Sequence, residues 1–193
     1  MPLIKAFRMD GLGNRFIIVD RRKNSINISK EKIVHLGNLK SLHRNIEFDQ
    51  IIFIEKEINN TFPITIFNSD GGEVSACGNG SRCVAYLLSK DLNNKEIKLK
   101  TNNRLLNAQI VGESDVQLEM GKPVFEWNKI PLKQKLDHKN IALDIDGKEF
   151  TYGFSLNVGN PHIIFFVKDC FEYDLKILGP KIENNELLSL IHI

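Results

Sequence analysis

The chain has 193 residues and a net charge of +2, and it is 42% hydrophobic and 26% charged, the balance of a soluble globular protein. So neutral a charge, with no long Lys/Arg run, argues against nucleic acid as a partner, and no apolar run approaches membrane-spanning length. Three cysteines at no scaffold-like spacing and an N-terminus without a secretory apolar region point to a reducing, cytoplasmic setting. The length suits one large domain or two small ones.

Residues 3–9 read as a strand, Gly11-Leu-Gly-Asn14 as a turn, and residues 16–20 as a second strand. Residues 29–42 have Ser29 at the N-cap position and apolar Ile33, Leu36 and Leu39, which predicts a helix. Strands follow at 50–54 and 62–67, then a helix from the Cys77 turn to about residue 90, whose apolar run at 84–88 marks it as buried. Residues 97–101, 105–111 and 116–120 read as a meander, and 121–140, with Pro123, Pro131 and many lysines, as a linker or rim. Strands resume at 141–145, 150–158 and 162–167, before a short helix over 174–182. Too few crossover helices separate the strands for a parallel α/β sheet, so the fold class is α+β, mainly antiparallel, with one buried helix per sheet.

Chemistry concentrates in Phe67-Asn-Ser-Asp-Gly-Gly-Glu-Val-Ser-Ala-Cys77-Gly-Asn-Gly-Ser-Arg-Cys83. Cys77 stands where a turn hands over to a helix, beside free backbone N–H groups and the positive end of the helix dipole, which favour thiolate and can hold a carboxylate. Cys83, six residues on, turns 600° around the helix, points well away from Cys77 and reads as core. The Cys77–Cys83 spacing is wrong for a zinc clamp, and no metal is expected. Other polar clusters lie at strand ends: Asn14, Phe48-Asp-Gln50, Asn68 and Asn157-Val-Gly-Asn-Pro-His162. Asn and Gln can grip an ammonium and a carboxylate without adding charge, and His162 could tune a thiol. Taken singly, Asn14, Asn68 and Asn160 also fit plain turn residues, Gln50 an edge-strand residue and His162 a structural histidine.

The ordered set Gly11-Leu-Gly-Asn14, Phe48-Asp-Gln50, Phe67-Asn-Ser-Asp-Gly71, Cys77-Gly-Asn-Gly-Ser-Arg-Cys83, Gly159-Asn-Pro-His162 and Leu178-Gly-Pro-Lys-Ile-Glu-Asn184 resembles the diaminopimelate epimerase family along nearly the whole chain. The resemblance implies two similar α+β domains, 1–120 carrying Cys77 and 121–193 forming part of the second. Each is a mainly antiparallel sheet round a central helix, with the substrate between them. It implies cofactor-free inversion of LL- to meso-diaminopimelate by two cysteines, for lysine and cell-wall synthesis, and a homodimer. By motif, Cys77 is one acid/base thiol and His162 modulates a thiol. Asn14, Gln50, Asn68, Gly78, Asn79 and Asn160 bind substrate.

The sequence departs from the family pattern at Asp10, Arg15 and Glu47, the last replacing a glycine and expected to disturb a turn at the cleft. The family continues beyond the Asn184 motif with a substrate-binding Asn, a Glu-Arg pair and a second catalytic cysteine in a Cys-Gly-[Ser/Thr] turn. None of these occurs in the 193 residues, and Cys170 has no glycine turn. The chain therefore reads as C-terminally truncated, with impaired two-base catalysis, exposed apolar faces and low stability expected. Competing readings are a non-catalytic remnant or amino-acid-binding module of the same fold, a proline racemase or phenazine-type isomerase, and a Cys77/His162 thiol hydrolase, for which no acyl pocket is visible.

Overall fold

The computed structural model describes residues 5–24, 26–38, 47–102 and 104–188. The chain divides into two compact units, Met1–Met120 and Gly121–Ile193.

The first unit opens with β1 (Ala6–Gly11) and β2 (Asn14–Asp20), an antiparallel hairpin closed by Leu12 and Gly13, both at positive φ (49° and 87°). A two-residue loop with both φ positive matches the right-handed twist of the strands, and Gly13 takes up that conformation without strain. Helix α1 (Lys30–Asn38) begins at Ser29, whose carbonyl accepts from Ile33 and whose hydroxyl accepts from the Lys32 amide. The predicted continuation of this helix over 39–42, with Leu39, lies outside the described residues. Strands β3 (Gln50–Ile54), β4 (Phe62–Asn68), β5 (Glu73–Val74), β6 (Glu96–Lys100), β7 (Leu105–Ile110) and β8 (Val116–Glu119) complete the sheet, with α2 (Gly78–Leu92) between β5 and β6.

These strands form one eight-stranded sheet in the order β1-β2-β3-β4-β6-β7-β8, with β5 added on β4. Most pairs are antiparallel, as expected, but β2 pairs with β3 and β4 with β6 in parallel. The sheet curls round α2, which packs against β1, β2, β3, β6, β7 and β8. Val84, Ala85 and Leu88 of α2 are fully buried against Phe16, Ile18, Ile52, Ile66, Leu99 and Leu106. Their i, i+1, i+4 spacing puts them on one stripe of the helix, which the sheet covers. The helix stops at Asn93, whose left-handed backbone (φ 52°) lets its N–H return to the Ser89 carbonyl. A second core, of Val19, Ile33, Phe48, Ile51 and Phe53, lies under α1 on the other face of the sheet.

In the second unit, β9 (Ile141–Ile145), β10 (Lys148–Asn157) and β11 (Pro161–Ile164) form an antiparallel sheet in the order β11-β10-β9. Asp146-Gly147, both at positive φ, makes the β9–β10 turn. Asp174 caps α3 (Leu175–Glu183), which packs on β9. The stretch 121–140 is more than a rim: Ile130 is 0% and Leu132 4% exposed, in one core with Ile141, Leu143, Ile145, Ile163 and Ile182. The prolines and lysines that made it read as a linker sit beside side chains that the unit needs.

Gly80 holds the first turn of α2 close to the sheet. A β-carbon there would come within 2.5 Å of the Ile52 Cδ1 and 3.2 Å of Phe16. Gly80→Ala should therefore push the helix start off β2 and β3 and destabilise the chain by about 1–3 kcal/mol, as overpacking a core does. Urea unfolding checks this, and an unchanged midpoint would contradict the close seating.

Candidate active site

Cys77 is the N-cap of α2, with extended backbone (φ −146°, ψ 108°), and its Sγ accepts from the Gly80 N–H at 3.4 Å. A thiol thus takes the place that Ser, Thr, Asp or Asn usually holds, answering one of the orphan amides of the first turn. The side chain is half-buried. Gly78 follows it, facing the Met120 side chain, where a β-carbon would stand 3.6 Å from sulfur.

The polar residues of the first unit gather at this helix start. Asn14 opens β2 and Gln50 opens β3, and the parallel register sets Phe16 beside Gln50. Gln50 in turn lies opposite Asn68, the last residue of β4. The side chains are linked in two pairs: Asn79 Nδ2 donates to Asn14 Oδ1 at 2.8 Å, and Gln50 Nε2 donates to Asn68 Oδ1 at 2.9 Å. Gln50 Oε1 is buried without a partner among the described residues. The turn after Asn68 is built by its own backbone, with Asn68 N–H donating to the Gly72 carbonyl and Gly71 N–H to the Asn68 carbonyl. Six of the predicted residues, Asn14, Gln50, Asn68, Cys77, Gly78 and Asn79, are therefore at one end of the sheet.

Asn160 and His162 belong to the second unit. They sit at the β10–β11 connection, His162 Nε2 lying 3.0 Å from Asn160 Oδ1. Gly159, at φ 120°, makes this turn, and its N–H donates to Asn157 Oδ1.

One feature differs from what the residues alone imply. Burial pushes the Cys77 thiol up from its ordinary value, and this outweighs the lowering by the Gly80 and Asn79 amides and by the Arg82 charge. The thiol is protonated at neutral pH, not a standing thiolate. Cys83 is core as expected, 6% exposed, and burial pushes its thiol up, with a smaller contribution from Cys77.

The sequence assigns Arg82 no role and shows Arg15 and Glu47 only as separate departures. Arg82 donates to Asn79 Oδ1, and the spacing of three that allows this along a helix face was visible. Arg15 and Glu47, two of the departures from the family pattern, pair at 2.8 Å, while the Arg15 N–H donates to Asp49 Oδ2 and the Asp49 N–H to the Arg15 carbonyl. The two unusual residues thus partner each other and tie the start of β2 to the approach to β3.

The family model described as diaminopimelate epimerase matches residues 6–126. A diaminopimelate epimerase of Pelagibacter ubique is 45% identical over 187 residues, covering 95% of this chain and 67% of the relative. One from the Wolbachia of Brugia malayi is 35% identical over 182 residues, covering 93% of this chain and 66% of the relative. The chain belongs to the diaminopimelate epimerase family. It spans about two thirds of the length of these relatives. Among solved structures, a predicted epimerase from Pseudomonas aeruginosa superposes with a TM-score of 0.57 at 14% identity, over 93% of this chain and 67% of that one. A hydroxyproline epimerase from Agrobacterium vitis, with bound trans-4-hydroxy-L-proline, gives 0.53 at 15% identity, over 91% of this chain and 53% of that one. At those identities the likeness shows the fold, the α+β architecture with a curled sheet that epimerases of this kind share.

Peptide-resolved alkylation with iodoacetamide tests the thiol. The Cys77 rate should climb with a midpoint above the ordinary thiol value of about 8.5, because a raised pKa holds the unreactive thiol form to higher pH. A midpoint well below that value would contradict the dominance of burial.

Proposed function

We propose that this chain carries one face of a cofactor-free diaminopimelate epimerase site, with Cys77 as one of two acid/base thiols. The observation that carries the reading is the convergence of Asn14, Gln50, Asn68 and Asn79 on the N-terminus of α2 at Cys77, in a chain of this family. Diaminopimelate presents an ammonium and a carboxylate at each end. Carboxamides supply both donors and acceptors, and the amides of the first helical turn supply further donors for an anion.

Inversion at Cα needs one group to take the proton from one face while another delivers a proton to the opposite face; the C–H electron pair stays on carbon and no net oxidation occurs. Cys77, protonated in the ligand-free chain, suits the delivering role. After it gives up its proton, the thiolate keeps the Gly80 and Asn79 amides and the Arg82 charge, the groups that already lower its pKa. Fixed donors of this kind stabilise charge without reorganising as it develops. In this reading Gly78 lets the substrate approach the helix start. Asn160 and His162, hydrogen-bonded to each other, act in the same reaction from the second unit, His162 on a thiol's basicity. The substrate is a small molecule, and the protein works as a homodimer in the cytoplasm, without metal or organic cofactor.

Protection of Cys77 from alkylation is the direct test. Saturating diaminopimelate should slow labelling of Cys77 at least about tenfold, an occupancy effect that follows from a Kd well below the ligand concentration, and should leave labelling of exposed Cys170 unchanged. Pimelate, which lacks both ammonium groups, should protect far less. Equal Cys77 labelling with and without diaminopimelate would sink the assignment. A non-catalytic amino-acid-binding module would show the protection without deuterium entering Cα from heavy water.

A further inference from the structure

The hydrogen bonds round Asn79 carry more information than their number. A carboxamide oxygen and nitrogen look alike, and which is which must be deduced from the partners. Here one partner removes the ambiguity. A guanidinium has five donors and no acceptor, so the atom of Asn79 that meets Arg82 can only be its oxygen. The other end of the same amide is then the nitrogen, and the atom of Asn14 facing it at 2.8 Å must be Oδ1. That leaves Asn14 with its Nδ2 hydrogens to offer elsewhere. We propose that Arg82 is a positioning residue that sets the donor–acceptor polarity of the substrate grip: acting through Asn79, it obliges Asn14 to present an N–H donor to a ligand carboxylate.

The second pair has the complementary sense. Gln50 donates through Nε2 to Asn68, and its Oε1 is a buried acceptor without a partner among the described residues. A donor at Asn14 and an acceptor at Gln50 match the carboxylate and the ammonium of an amino acid, and reversing Asn14 would present two acceptors where one carboxylate must bind. Only the Asn14 limb is tied to a group whose polarity cannot invert. Arg82 does this from within the helix that carries Cys77, so thiol and donor are fixed to one rigid element. Nothing about ordinary stability requires the arrangement, because a bond from a partly exposed guanidinium to a neighbouring amide contributes little to folding.

The inference rests on the amino-acid-site reading, and the test separates the two. Three variants of the 193-residue chain are compared with the parent: Arg82→Lys, which still only donates; Arg82→Gln, which can donate or accept; and Arg82→Met, which does neither. Calorimetry measures the Kd of diaminopimelate and of its diamide, in which each carboxylate becomes a group that both donates and accepts. The preference for diaminopimelate over the diamide should fall about tenfold in the Gln and Met variants, the equivalent of one charge-assisted hydrogen bond, and should be kept by Arg82→Lys. The same ratio in all four proteins would overturn the proposal, since a merely structural Arg82 would weaken both ligands alike. If the parent binds neither ligand, the site reading fails, and the polarity is decided without ligand. In that case nitrogen-detected exchange in the free chain should show the Asn79 side-chain hydrogens protected and those of Asn14 unprotected, a pattern lost in Arg82→Met and kept in Arg82→Lys. An unchanged pattern in Arg82→Met would refute it.

Discussion

Everything in the first unit depends on how closely the start of α2 is pressed into the sheet that curls round it. The helix buries a continuous apolar stripe, Val84, Ala85 and Leu88, and strands on several sides cover it. Such burial demands that the first turn also lie close, and Gly80, with Ile52 and Phe16 against its backbone, is where the chain allows this. The orphan amides of that turn are then shielded from bulk water and must find partners at hand. Cys77 answers one of them. The same contact that completes the core therefore places a thiol, and the ends of β2, β3 and β4 bring carboxamides to it.

Burial also decides the state of that thiol. The helix terminus and Arg82 favour thiolate, but loss of water disfavours charge more strongly, so the proton stays on in the free chain. The thiol is thus held protonated beside groups that would welcome its conjugate base. The carboxamides round it are neutral whichever way they point, so they leave this balance unaltered. For Asn79, and through it Asn14, the direction follows from a guanidinium that can only donate.

Much of this is legible in the amino-acid sequence. Strand β3 matched to the residue, because Gln50 and four apolar residues make a short β-rich run with sharp borders. The helix after Cys77 is clear from its apolar run, and the sequence places Asn14, Gln50 and Asn68 as polar side chains at strand ends, where the structure has them. Other features could not be read. Alternation along a strand does not tell the direction of its neighbour, so the parallel β2–β3 and β4–β6 pairs were invisible. Glu73-Val74 is too short, in a glycine-rich stretch, to announce a strand. Ile130 and Leu132 were hidden among prolines and lysines that suggested a linker. The thiol's raised pKa depends on tertiary burial, whereas the sequence displays only the nearby helix terminus. Arg15 and Glu47 each looked like a lone departure; only their proximity in space shows that they are partners.

The central claim is that the carboxamides round Cys77 form one ligand grip on the first unit. Nuclear magnetic resonance titration of the chain with diaminopimelate, followed at the side-chain amides, tests it most directly. The account predicts that the Asn14, Gln50, Asn68 and Asn79 signals shift together with one binding constant. Signals that stay in place while diaminopimelate binds elsewhere on the chain, or that move with unrelated constants, would contradict it.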